Sequence, residues 1–134
     1  MTLQFSKYEG TGNDFILIDD RRLQFPVSKE LISKLCDRHF GIGADGILLV
    51  QHSEGYDFGM NYFNSDGSHA TFCGNGARCI TAFAHQAGIS GKTSRFLAAD
   101  GQEEDRIGKP DAGYRYVHLR EFITGAENRG GGIF

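Results

Sequence analysis

Residues 73–88 read CGNGARCITAFAHQAG, and this stretch decides the fold. From Asn75 to about Ala87 the apolar residues Cys79, Ile80, Phe83, Ala84 and Ala87 recur at spacings of three and four. That is the period of a helix with a single buried face. Gly88 is well placed to end it in a left-handed turn. A central helix with Ile80 and Phe83 buried against strands is therefore expected.

Outward from this helix the period changes to two. Leu3, Phe5 and Lys7 alternate with Gln4, Ser6 and Tyr8 as a first strand stopped by Gly10, and Phe15–Ile18 reads as a buried strand ending in Asp19–Arg22. After Pro26, Ser28 can cap a second helix whose face is Leu31, Ile32, Leu35 and Cys36, with Phe40 beyond its end and Gly41 as a natural stop. Ile47–Val50 and the alternating Phe58, Met60 and Tyr62 are further strands, separated by a turn at Glu54–Tyr56. Asp66-Gly67 is a favoured hairpin dipeptide, with a short return strand over about 69–72. Arg95–Ala99 and Tyr114–Leu119 complete the set of expected strands. Two helices among short strands, without regular strand–helix alternation, argue for an α+β fold rather than a doubly wound sheet.

The chain has 134 residues, 40% of them apolar, enough for one domain with a modest core. We expect that domain over residues 1–120, with 121–134 a weakly anchored or truncated segment. No apolar run approaches the roughly 18 residues of a membrane span, and no basic, then apolar, leader opens the chain. Fourteen basic against seventeen acidic residues give a charge of -3 with no basic stripe, which argues against nucleic acid. Three cysteines without metal-type spacing suit reduced thiols in a cytoplasmic protein. Glycine, at 19 residues or about 14%, is twice its usual share of about 7% and gathers in tight turns rather than a linker.

Chemistry concentrates just before the central helix. Cys73 precedes helix-end amides that favour a thiolate, and Gly74 and Gly76 let backbone amides approach a carboxylate. The segment is either a reactive thiol beside an anion nest or an ordinary turn with a buried cysteine. Cys79 and Cys36 sit on apolar helical faces and read as core residues. Arg78 is either a surface charge or a group that fixes the loop. The five histidines are scattered without ligand spacing. Gly41-Ile42-Gly43-Ala44-Asp45-Gly46 matches G-x-G-x-x-G, but a helix precedes it and a strand follows, the reverse of a dinucleotide site.

Four ordered segments carry a resemblance: Phe5-Ser6-Lys7-Tyr8 through Gly12-Asn13-Asp14-Phe15; Asp37 through Gly46; Phe63-Asn64-Ser65-Asp66-Gly67-Ser68; and Cys73-Gly74-Asn75-Gly76-Ala77-Arg78-Cys79. Over about residues 3–100 the chain resembles the N-terminal half of the diaminopimelate epimerase family. The resemblance implies a domain in which a curved, mostly antiparallel sheet surrounds a central helix. It also implies a cofactor-independent epimerase interconverting LL- and meso-diaminopimelate, with a small amino acid as substrate. Cys73 matches the first-domain catalytic cysteine, Asn13 and Asn64 match substrate-binding residues, and Gly74 and Asn75 match part of the α-carboxylate cradle. Neither a metal nor an organic cofactor is implied.

The family enzyme is about twice this length, and its second cysteine lies in its C-terminal half. Inversion needs an acid and a base on opposite faces of the α-carbon, so the expectation is an incomplete or inactive form. A homodimer or the missing C-terminal half would be the partner. The alternatives are a non-catalytic carboxylate-binding remnant, which would bind without α-hydrogen exchange, and a structural domain that pairs with a partner half.

Overall fold

The structure, a computed structural model, describes residues 2–70, 74–98, 103–107 and 114–123, with side chains over 3–70 and 74–98. Cys73, half of the expected return strand (71–72) and the tail beyond Ile123 lie outside the described residues. The elements run β1 (Thr2–Gly10), β2 (Asn13–Asp19), α1 (Lys29–Cys36), β3 (Gly46–Gln51), β4 (Phe58–Asn64), α2 (Gly74–Gln86), β5 (Thr93–Leu97), β6 (Glu103–Ile107) and β7 (Tyr114–Ile123). The strands form one mixed sheet in the order β6-β5-β4-β3-β2-β1-β7. The pairs β1–β2, β1–β7, β3–β4 and β5–β6 are antiparallel. Only β2–β3 and β4–β5 are parallel, and each of these is joined through a helix, as parallel neighbours require.

Side-chain alternation divides the sheet between two cores. Phe15, Leu17, Leu48, Val50, Phe58, Met60 and Tyr62 pack with Cys79, Ile80 and Phe83 of α2. Ile16, Ile18, Ile47, Leu49 and Phe63 pack on the other face with Ile32, Leu35 and Cys36 of α1. Because both faces are covered, the strands read as continuous apolar runs such as Ile47–Val50. Helix α2 lies against β1, β2, β3, β5 and β6. From β6 to β1 a flat sheet would span about 24 Å, roughly twice a helix diameter. The sheet therefore curls around α2, the central helix expected from the three-four stripe.

The helix ends follow their local chemistry. Ser28 Oγ accepts from the Leu31 amide at 3.0 Å, capping α1 as expected. At the other end Asp37 Oδ1 accepts from the amides of His39 and Phe40 at 2.8 and 2.7 Å, and the chain turns away after Cys36. Helix α2 closes with paired bonds, Ile89 N–H to Ala84 O at 2.9 Å and Gly88 N–H to His85 O at 3.2 Å. Gly88 has φ +74°, and Ile89 packs onto the core, which completes a Schellman turn.

Candidate active site

Strand direction brings one end of each relevant element together. Parallel β2 and β3 both begin at this end; β4, antiparallel to β3, finishes here, and α2 starts after the connection from β4. Phe15 lies opposite Gly46, which in turn lies opposite Asn64. Asn13, two residues before Phe15, thus stands about 7 Å beyond the level of Asn64 along the strand and two strand spacings, about 10 Å, across the sheet. Alternation puts Asn13 and Asn64 in the same row as Phe15 and Tyr62, on the α2 side.

The β1–β2 turn ties this edge to the start of α2. The side chain of Asn75 sits beside Gly10, where an added Cβ would come within 3.4 Å of Asn75 Oδ1. Thr11 Oγ1 is 3.3 Å from the same oxygen, and Arg78 donates to it from its guanidinium. Asn64 donates from Nδ2 to Ser68 Oγ at 3.2 Å within the turn that leads towards α2. In that turn Gly67 N–H bonds to Asn64 O at 2.9 Å and Asn64 N–H to Ser68 O at 2.9 Å. Gly67 has φ +85° while Asp66 does not have a positive φ, so the hairpin closes as a three-residue loop with its glycine in the left-handed position rather than as a two-residue turn. A Cβ on Gly67 would also lie 2.7 Å from Lys29 Cα, so the turn and the start of α1 fit only around glycine.

Helix α2 begins at Gly74 with no acidic residue in its first turn, and Gly74 is exposed, with no described residue within 4 Å of where a Cβ would project. Its first amides have no partner within the helix and carry the positive end of the dipole. Of the five expected site residues, Asn13, Asn64, Gly74 and Asn75 thus gather at one end of the sheet beside the α2 start. Cys73 is their chain neighbour at Gly74 but lies outside the described residues.

The opposite pleat carries a charged clasp that the sequence reading missed. Asp14 accepts from Lys7 Nζ at 2.7 Å and from Arg38 Nη2 and Nη1 at 2.8 and 3.1 Å. Arg38 also reaches Asp45 at 3.0 Å, and Lys7 donates to Gly43 O. Asp14 and Asp45 exchange bonds, each carboxylate accepting from the other's amide at 3.1 and 3.2 Å. Burial pulls the Asp14 carboxyl upward, but the hydrogen bonds and charges of Arg38 and Lys7 outweigh it and hold it well below the usual carboxylate range. Adjacent residues therefore have separate tasks: Asn13 lines the α2 side, while Asp14 locks the start of β2 to the start of β3.

The clasp also explains the glycine run that resembled a nucleotide loop. A Cβ on Gly41 would lie 2.1 Å from Lys34 O, and one on Gly46 would lie 2.5 Å from Phe63 O. The glycines let the loop fold back over the end of α1 and let β3 pack on β4. The helix-then-strand order confirms that the loop lacks dinucleotide context.

Neither other cysteine shares the candidate site. Cys79 is buried among the α2 side chains, and Cys36 is buried on the opposite face. Burial pushes the Cys36 thiol up to about 12. We expect both to resist iodoacetamide at pH 8 in the folded chain and to react after urea unfolding, read by mass spectrometry of peptides. Labelling of Cys36 at the rate of an unfolded cysteine would contradict its burial.

A cavity of about 770 Å³ lies at the far end of the sheet, lined by residues that include Gln4, Leu17, Asp20, Arg22, His52 and Phe83. It contains none of the expected site residues. Among the described residues no three His, Cys, Asp or Glu side chains gather to hold a metal, and no helix is long and apolar enough to cross a membrane.

Comparison with known proteins gives the family. The family model described as diaminopimelate epimerase matches residues 5–109. The diaminopimelate epimerase of Flavobacterium psychrophilum is 49% identical over 110 residues, covering 81% of this chain and 43% of that protein. That of Rippkaea orientalis is 46% identical over 139 residues, covering 92% and 48%. The chain thus spans less than half the length of these relatives. Among solved structures, a phenazine biosynthesis protein of the PhzF family from Bacillus anthracis superposes with a TM-score of 0.63 at 20% identity, over 84% of this chain and 38% of that one. The likeness to PhzF is one of fold, and the sequence match is the more specific finding: the chain belongs to the diaminopimelate epimerase family.

Proposed function

We propose that this chain forms one half-site of a cofactor-independent epimerase acting at an α-carbon of diaminopimelate, with Cys73 as the proton-transferring thiol. The observation that carries the reading is the convergence of Asn13, Asn64, Gly74 and Asn75 at the start of α2, immediately after Cys73 in the chain. In this reading the first amides of α2 and the asparagine side chains hold the α-carboxylate. The same amides stabilise negative charge as the α-proton leaves. A thiol with an ordinary pKa of about 8.5 needs only a small shift to serve as base near neutral pH.

The proton balance sets what these 134 residues do alone. The Cys73 thiolate takes the α-proton as the C–H bond breaks, leaving a carbanion and a neutral thiol. The thiol exchanges its proton with solvent and returns one to the same face. Inversion needs a donor on the other face, and Cys36 and Cys79 are buried in the two cores. The half-site therefore supports exchange without inversion, and the opposing acid comes from a second polypeptide segment or a second copy.

The test is LL-diaminopimelate in deuterated water with wild type and Cys73→Ala. We expect slow α-deuterium incorporation by wild type, none by the variant, and no meso isomer. Inversion by monomers would overturn the half-site reading. Inversion rising with protein concentration would assign the second acid to another copy, and absence of both binding and exchange would remove diaminopimelate as the ligand.

A further inference from the structure

Arg78 occupies an electrostatically awkward place. It lies one turn into α2, near the positive end of the helix dipole, with no acidic residue in the first turn. No carboxylate among the described residues pairs with it, and its Nε is buried without a hydrogen-bond partner. Its one hydrogen bond among the described residues runs from Nη2 to Asn75 Oδ1, three residues back on the same helix face.

That bond decides which way the Asn75 amide points. A guanidinium only donates, so the atom facing Arg78 must be the carbonyl oxygen. Thr11 does not decide it, because its single hydroxyl proton already has a closer acceptor, Gly10 O at 2.7 Å, than Asn75 Oδ1 at 3.3 Å. If the amide flipped, Nδ2 would face the guanidinium, donor against donor. We propose that Arg78 is a positioning residue that holds Asn75 with Oδ1 inward and thereby presents Nδ2 as a donor at the start of α2. Nδ2 has no partner among the described residues, so it is available to an anionic oxygen of the ligand. This last step rests on the half-site reading; the orientation of the amide does not.

The experiment has a ligand-free arm and a binding arm, both on the full 134-residue chain. In the first, NMR relaxation of the Asn75 side-chain NH₂ is measured in wild type, Arg78→Met and Arg78→Lys, with circular dichroism confirming the fold. We expect a rigid amide in wild type, a mobile one in Arg78→Met and partial rescue by Arg78→Lys, which keeps a cationic donor. In the second, calorimetric titration with LL-diaminopimelate should show about tenfold weaker binding for Arg78→Met. That loss should disappear when Arg78→Met is introduced into Asn75→Ala, because Arg78 acts through Asn75. An equally rigid Asn75 amide in Arg78→Met overturns the proposal, and so does an undiminished loss in the Asn75→Ala background. A rigid amide released by Arg78→Met, in a chain that does not bind diaminopimelate, supports the positioning role and overturns the half-site reading instead. If Arg78→Met fails to fold, Arg78→Lys decides: an Asn75 amide more mobile than in wild type supports the hold by the guanidinium, and one as rigid as in wild type overturns it.

Discussion

Replacing Asp14 with asparagine is expected to lower the stability of the folded chain by about 2–3 kcal/mol, read as a shift in the urea midpoint without a change in slope. Asp14 and Lys7 are only 17% and 15% exposed, and the Asp14 carboxylate accepts from two cations and the Asp45 amide. An asparagine keeps one acceptor and turns a donor towards Lys7 or Arg38. Breaking a fully buried pair would cost more; the cost here is reduced because Arg38 is half exposed and can lean onto Asp45.

The same residue sets an acid limb. Its folded pKa lies below the unfolded value of about 3.9, so the unfolded chain takes up the proton first and stability rises with pH through this range. The contribution is fully present above about pH 4 and is lost as pH falls through the folded pKa. Asp14→Asn should therefore flatten the acid side of a stability–pH curve while leaving the neutral region uniformly lower. Asp19, Asp37 and Asp66, also held below the usual carboxylate range, keep a residual acid limb. An unchanged midpoint at pH 7, or an acid limb as steep as in wild type, would show that the clasp does not hold β2 to β3.

What the sequence disclosed depended on whether a pattern was local. Helix α2 is legible because its apolar residues repeat every three or four positions, and its stop at Gly88 is a local backbone requirement. Strands β1 and β4 are legible because alternation survives within them, and β2 and β3 because burial on both faces leaves short continuous apolar runs. Strand β6, Glu103–Ile107, is not, since EEDRI offers no apolar alternation and its only partner among the described strands is β5. The clasp is also invisible to any local period: Lys7, Asp14, Arg38 and Asp45 meet because β2 and β3 run parallel across the α1 crossover. Asn13, Asn64 and Asn75 were singled out by resemblance, and their convergence follows from strand direction. The two readings open for Arg78 were separated by one contact, its bond to Asn75.

Gly46 and Gly74 offer the sharper test, because one residue type is expected to fail in opposite ways. At Gly46 a Cβ would lie 2.5 Å from Phe63 O and 2.8 Å from the Tyr62 ring. The ring can swing aside, but the carbonyl belongs to the β3–β4 ladder. Gly46→Val should therefore cost about 3 kcal/mol through forced strand separation, with ligand binding weakened because Asn64 is opposite the displaced residue. At Gly74 nothing among the described residues lies within 4 Å of an added Cβ, and alanine is a better helix former than glycine. Gly74→Ala should leave stability within about 1 kcal/mol of wild type, or raise it slightly. Its methyl would instead occupy the space through which an anion approaches the first amides of α2, so affinity for LL-diaminopimelate should fall about tenfold. Urea unfolding and calorimetric titration of both variants separate the two roles. A Gly74→Ala chain that binds as wild type would remove Gly74 from the carboxylate cradle, and a Gly46→Val chain of undiminished stability would show that the β3–β4 ladder yields where the packing leaves no room.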